Sequence, residues 1–155
     1  MHDIRLVEKI EPKISPGLGL RSLKLTPSKQ YLLGGYCDNK MRLISTLSWK
    51  ESFSFDHAAR TDTLDDSNSN ADLNIYVESE TAEDGPLYEA VSKPFKLDKL
   101  SNEDMGKIRE GLPRVGISKM IPSYDSNYVA TVCESVPNCV WIWDLQKLTL
   151  SSLIV

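Results

Sequence analysis

The chain has 155 residues, 41% of them apolar and 26% charged, which is enough apolar mass for a packed core and excludes wholesale disorder. Its formal net charge of −4 argues against a surface built to hold nucleic-acid phosphates. No apolar run approaches the roughly 20 residues of a membrane helix. The opening MHDIRLVEKI has no signal-peptide apolar stretch, so the expected compartment is the cytosol or nucleus, with neither nucleic acid nor membrane as partner. Cys37, Cys133 and Cys139 are an odd number at no framework spacing and read as reduced, buried thiols.

In chain order, residues 20–25, 31–37, 41–46 and 49–55 are short apolar or alternating runs separated by polar turns. The pattern returns at residues 116–121, 128–133, 140–144 and 148–155, and each second run opens with a tyrosine, Tyr31 or Tyr128. Leu23 and Leu25 flank Lys24, and Leu43 follows Arg42. That period of two places an apolar set on one sheet face. Pro27, Gly34-Gly35, Asp38-Asn39, Pro122, Asp125-Ser126-Asn127 and Pro137-Asn138 interrupt the chain too often for useful helices. Each unit is therefore predicted as four short antiparallel strands.

Residues 58–114 break the pattern. From Thr61 to Ser92 there are nine acids and no Lys or Arg, and DDSNSN within this stretch should be solvated and mobile. LNIYVES and PLYEAVS read as two strands of a hairpin across TAEDG. Ser101 and Asp104 open a short helix expected over residues 102–110, with Gly111 as its stop. The segment is either a long insertion between adjacent units or a degenerate unit of its own. The absence of the strand–turn–Tyr pattern favours the insertion. The acidic stretch is a solvated loop or a docking segment for a basic partner, with Tyr76 and Tyr88 as aromatic anchors.

SLKLTPSKQYLLGGYCDNKMRLI resembles a WD40 repeat, and the second copy ends in the eponymous Trp143-Asp144. The resemblance implies an all-β partial β-propeller: two WD40-like four-stranded blades, over residues 1–57 and 115–155, with the acidic insertion 58–114 between them. GLGLRSLKLTPSKQYLLGGYCDNKMRLISTLSWKESFSFDHAA is similar to one repeat of a WD-repeat family found at centrosomes and spindle poles, often called the WD-repeat protein eight family. LYEAVSKPFKL and RVGISKMIPSYDSNYVATVCESVPNCVWIWDLQKLTL resemble the stretch after that family's variable insert. Propellers close with about 4–8 blades, so two blades read as a fragment, and the remaining blades of an intact chain count among its expected partners. The implied function is a non-catalytic scaffold that anchors microtubules through a centrosomal coiled-coil protein, in the cytoplasm at the centrosome or spindle pole. The rival is a WD40 adaptor of another complex, such as a ubiquitin ligase or a translation factor.

The resemblance also implies residue roles. Trp143 would join a Trp–Ser/Thr–Asp–His network that braces a blade, with Thr131 and His57 as companions. Glu134 stands where the network's Asp is usual, and plain core packing is the alternative reading of Trp143. Asp144, of the eponymous dipeptide, and Asp38, in a tight turn, are further structural blade residues. Trp141 shares the face of Trp143 by parity and is a candidate partner contact. No cofactor is expected. The cysteines and His57 lack metal-ligand spacing, GLGL lacks the Gly and Lys of a phosphate loop, and no nucleophile–base constellation is visible, so an enzyme is not expected.

Overall fold

The structure is a computed structural model that describes residues 19–57, 73–79, 87–93, 95–97 and 115–155. The solvated stretch expected over residues 61–70 and the short helix expected over 102–110 lie outside these. All regular structure among the described residues is strand. The first sheet runs β1 (Leu20–Leu25), β2 (Tyr31–Tyr36), β3 (Lys40–Ser45) and β4 (Glu51–Asp56), antiparallel throughout and in sequence order. In the second sheet, β7 (Ile117–Pro122), β8 (Tyr128–Cys133), β9 (Val136–Asp144) and β10 (Thr149–Ile154) repeat that order.

The repeat extends to the backbone. Ser22 pairs with Gly35 after a bulge at Leu20, and Lys119 pairs with Val132 after a bulge at Ile117. A second bulge separates Leu43 from Ile44 on the pairing with β4, and its counterpart separates Leu150 from Ser152 on β10. Left-handed backbone recurs at Lys29 and Ser126, then at Trp49 and Leu148. The first turn of each sheet is tied the same way. The Thr26 hydroxyl donates to Tyr31 O at 3.1 Å and accepts from Tyr31 N at 3.2 Å. Ser123 does so with Tyr128, at 3.1 and 2.9 Å. A hydroxyl that satisfies both backbone groups of the turn-closing tyrosine sets the register of each hairpin.

The second sheet has six strands rather than four. From the intervening segment, β5 (Asn74–Ser79) and β6 (Leu87–Val91) form an antiparallel hairpin, and β5 adds parallel to β10 at the edge away from β7. An open outer strand leaves unpaired N–H and C=O groups. Here Val155 N donates to Tyr76 O at 2.8 Å and Glu78 N to Val155 O at 3.0 Å. Ile75 continues the buried row of Leu153. The β8–β9 turn also differs from expectation. It falls at Glu134-Ser135, while Pro137 and Asn138 lie exposed in a bulge of the longer β9. The turn starts where its counterpart in the first sheet does: Glu134 N donates to Gly116 O at 2.9 Å, as Cys37 N does to Gly19 O at 3.2 Å.

The two sheets pack directly on each other. Leu33, Met41, Leu43 and Phe55 of the first join Ile117, Met120, Val129, Trp141, Trp143, Leu150 and Leu153 of the second in one buried cluster. Burying such side chains contributes roughly 1.5–3 kcal/mol each. The described strands of the intervening segment lie at the far edge of the second sheet, so no sheet separates these two faces. At the inner end the backbones come close. A Cβ on Gly116 would collide with Tyr36 O and Cys37 Cα, and the residue sits at φ +89°. Its repeat mate Gly19 has φ +91° but open space around it.

This pair separates strain from contact. Gly19→Ala should cost about 1–3 kcal/mol for the backbone conformation alone. Gly116→Ala should cost more, because it also pushes the sheets apart. Urea denaturation midpoints of the two variants check the difference; equal losses would show that the close approach is not sensed.

Candidate functional site

Two of the buried polar residues, His57 and Thr131, meet on the seam between the sheets. His57 directly follows β4 of the first sheet, while Thr131 and Trp143 stand on β8 and β9 of the second. All three are buried. Trp143 Nε1 lies 3.1 Å from Thr131 Oγ1 and 3.2 Å from His57 Nε2, and His57 Nε2 lies 2.8 Å from Thr131 Oγ1. The indole N–H only donates. All three contacts hold together when His57 Nε2 carries no proton, the Thr131 hydroxyl donates to it, and the indole N–H is shared between the two acceptors. The structure thus brings together Trp143, Thr131 and His57. Glu134 is elsewhere, paired with Arg21 Nη2 at 2.7 Å across the seam.

Trp141 is corrected by the structure. The ring is 0% exposed, stacked on Trp143 at 6.1 Å and 8°, with the edge of His57 at 5.3 Å. It faces the first sheet for the reason Trp143 does: residues two apart on a strand share a face. It is a core residue and not a partner contact. Phe55 closes the aromatic group at 5.1 Å from Trp143. Aromatic pairs in this range add about 0.5–1.5 kcal/mol beyond their burial.

The aspartates hold turns. Asp144 Oδ1 accepts from Gln146 N at 2.8 Å and Lys147 N at 2.9 Å, which shapes the β9–β10 turn. Asp38 Oδ1 accepts from Lys40 N at 3.1 Å, and the Asp38 carboxylate takes the Arg42 guanidinium. Arg42 also lies 4.3 Å over the Tyr36 ring and 3.5 Å from Glu51. Burial opposes the Arg42 charge, but the bond to Asp38 outweighs it and holds the guanidinium protonated. Burial raises the Tyr36 phenol, and the adjacent Arg42 charge offsets part of that rise.

The seam also uses residues that the sequence pattern marks only as turn or strand. Asn39, at φ 61°, sends its side-chain oxygen across to Gly116 N at 2.9 Å and Ser135 Oγ at 2.8 Å. Ser22 Oγ donates to Ile117 O at 2.6 Å. The available signal for Asn39 is the Asp-Asn pair in a tight turn, since Asn tolerates the left-handed region. Nothing in a sequence says which neighbouring strand its amide will reach.

The remaining sequence candidates sit apart, on the β5–β6 hairpin. Tyr88 is 49% exposed and Tyr76 half-buried. Glu78 pairs with Tyr88 and Tyr76 with Ala90, so both tyrosines lie on one face with Glu78 beside them.

Similar proteins carry the same kind of repeat. The chain is 32% identical over 154 residues to the mouse (Mus musculus) WD repeat-containing protein WRAP73, covering 86% of this chain and 31% of that protein. It is 25% identical over 142 residues to the uncharacterized WD repeat-containing protein C32H8.09 of Schizosaccharomyces pombe, covering 89% of this chain and 26% of that one. The two sheets are WD40-type blades. The chain spans about a third or less of the length of these curated relatives. No family model matches it. Among solved structures, the structure of U3-55K aligns over 86% of this chain and 38% of its own at 12% identity and a TM-score of 0.28, too slight a likeness to argue from. In blade terms, the His57 that ends one blade is clamped by the Thr131 and Trp143 of the next.

The clamp is testable. Thr131→Val keeps the shape and removes the hydroxyl, so the Trp143 N–H and His57 lose a shared partner. The expected cost is about 1–3 kcal/mol by urea denaturation, with Thr131→Ser close to wild type. A Val variant as stable as wild type would mean that packing alone holds the seam.

The thiols give a second test. Burial pushes Cys139 up to about 11 and raises Cys133, while Cys37 is half-buried. A thiol kept protonated in the fold contributes stability that is complete below the ordinary value of 9.0 and is lost as pH rises from there toward about 11. Alkylation at pH 8 should label Cys37 in the native protein, and Cys133 and Cys139 only after unfolding. Mass spectrometry of the labelled peptides reads the outcome.

Proposed function

We propose that this chain is part of a non-catalytic WD40 scaffold that works at the centrosome or spindle pole, where it helps anchor microtubules and organise the spindle by holding a coiled-coil partner. The observation that supports it most is the 32% identity to a WD repeat-containing protein over 86% of the chain, combined with the PNCVWIWDLQKL string that resembles the spindle-pole family. The geometry is compatible with this reading. That string builds β9 and the β9–β10 turn, and its two tryptophans are spent on the seam. A fold of this kind offers surfaces, and function then lies in what those surfaces bind.

On this reading the contact surface is the β5–β6 hairpin, where Tyr88 and Tyr76 stand beside Glu78 in a segment rich in acids. That chemistry suits a basic segment of the partner. A WD40 adaptor of another complex, a ubiquitin ligase or translation assembly, is the alternative, and nothing specific in the molecule favours it.

The test is a set of tagged variants in cells, scored for abundance, spindle-pole localisation and co-precipitation of a centrosomal coiled-coil protein. Trp143→Ala removes a buried ring and should cost about 3–5 kcal/mol out of a typical 5–15 kcal/mol, so protein and localisation should fall together. Trp141→Ala should behave the same way. Tyr88→Ala should leave abundance unchanged and weaken co-precipitation. If the wild type never reaches the pole, or if ligase or ribosomal proteins co-precipitate instead, the spindle-pole reading fails.

A further inference from the structure

The hairpin that widens the second sheet ends it in a strand whose outer side is unpaired. Within a strand, the N–H and C=O of one residue point to the same side, and residues two apart share that side. Val155 N donates to Tyr76 O and Glu78 N donates to Val155 O, so Tyr76 and Glu78 turn their backbone toward β10. Ile75, Val77 and Ser79 therefore turn theirs toward β6, where their register partners are Val91, Glu89 and Leu87. That leaves the backbone groups of Tyr88 and Ala90 pointing away from the sheet. β6 is the last strand in the order, and none of the described residues bonds to those groups. Layers of sheet pack face on face, and this edge belongs to a hairpin added outside β10, so the stacking of one blade on another does not use it.

The side chains of the edge are accessible as well. Every residue of β6 is exposed, Leu87 by 53% and Tyr88 by 49%. Leu87, Glu89 and Val91 share one face, Tyr88 and Ala90 the other. β5 and β6 carry Glu78 and Glu89 and neither Lys nor Arg.

We infer that β6 takes an added strand: an extended basic segment of a partner protein pairs through its backbone with Tyr88 and Ala90. The inference rests on the β5–β6 hairpin being the contact surface, and it supplies the mode of contact and the sequence that fits. In strand addition the main chain gives affinity and alternate side chains give specificity. Residues directly opposite each other interact. The residue opposite Glu89 is therefore a Lys or Arg, with apolar residues opposite Leu87 and Val91 on the same face. On the other face an Arg opposite Tyr88 lies against the phenol ring. A second copy of β6 is a poor match, because its one charge is Glu89 and like charges across a strand pair repel. A coiled-coil helix is no match either, since its own turns use its backbone groups. The segment lies outside the partner's coiled coil.

The probe is a peptide with the central run Val-Thr-Lys-Arg-Val, laid antiparallel so that these face Val91, Ala90, Glu89, Tyr88 and Leu87 in turn. Titrated into the chain, it should bind below about 1 mM. The Tyr88 and Ala90 amides should exchange hydrogen fast in the free protein and slow down on binding. A peptide with Glu in place of its Lys should bind about tenfold more weakly, and Glu89→Lys should reverse that preference. Ala90→Pro removes an outward N–H and spares the ladder to β5, since proline is tolerated where the N–H faces solvent. It should weaken binding by about tenfold while the Glu89 amide stays protected. If that variant loses the hairpin, N-methylated peptides replace it: methylation of the Thr or Arg nitrogen, which faces β6, should abolish binding, and methylation of the Lys nitrogen should not.

Binding that ignores both Ala90→Pro and the choice of methylated nitrogen overturns the inference. So do Tyr88 and Ala90 amides already protected in the free protein, whether by another of its segments or, where protection rises with protein concentration, by a second copy. The two proposals fail separately. Peptide on the edge of a protein that never reaches the pole removes the spindle-pole reading and keeps the added strand. Loss of co-precipitation in Tyr88→Ala, with no peptide protection of the edge, keeps the hairpin as a contact and removes the added strand.

Discussion

Everything in this molecule depends on two four-stranded units presenting opposite faces to one another. Phe55 and His57 leave the first sheet and land on Trp143 and Trp141 of the second. A single sheet of this size has no way to bury either face, because a sheet needs a partner layer. The aromatic group therefore does for each sheet what its own strands cannot. The glycine at position 116 and the small Gly35 follow from the same constraint, since bulk at either would hold the inner ends of the sheets apart.

Polar groups on the seam give that apolar contact a definite register. Hydrophobic burial is non-directional, and two leucine-rich faces would tolerate sliding. The Ser22 hydroxyl on Ile117 O, the Asn39 amide oxygen on Gly116 N and the Thr131–His57–Trp143 contacts each have only one place to be satisfied. An unmade hydrogen bond on a buried group costs more than a made one contributes. Misalignment is therefore penalised at both ends of the interface. Trp141 is the exception: its indole N–H is buried without a hydrogen-bond partner among the described residues, and its value lies in stacking.

The β5–β6 hairpin shows how a segment that breaks a repeat is accommodated. A WD40-type blade ends at its fourth strand, whose outer edge is free. The second blade continues past β10 because Ile75 and Val77 alternate in phase with the buried row. Tyr76, Glu78 and Tyr88 then share the opposite face of the hairpin. The molecule thus separates a structural region, where tryptophans and histidine are buried, from a surface region, where aromatic and acidic side chains are accessible. The scaffold proposal relies on that separation.

Much of the fold was legible in the chain alone. Turn residues every eight or so positions, a tyrosine opening each second strand and the period of two define the eight strands of the two repeats in nearly the observed places, because such signals act over a few neighbouring residues. The hairpin of the intervening segment was legible for the same reason, and Trp143, Thr131 and His57 were grouped through a resemblance that links distant positions. Other features depended on the assembled structure. The burial of Trp141 required knowing that its face meets a second sheet, and the parallel pairing of β5 with β10 required both edges to be in place. The role of Asn39 required a turn in one sheet to reach a strand more than 70 residues further along the chain. Local sequence sets backbone conformation within a few residues. Which surfaces meet is decided when whole faces are buried together, and that balance is set only in three dimensions.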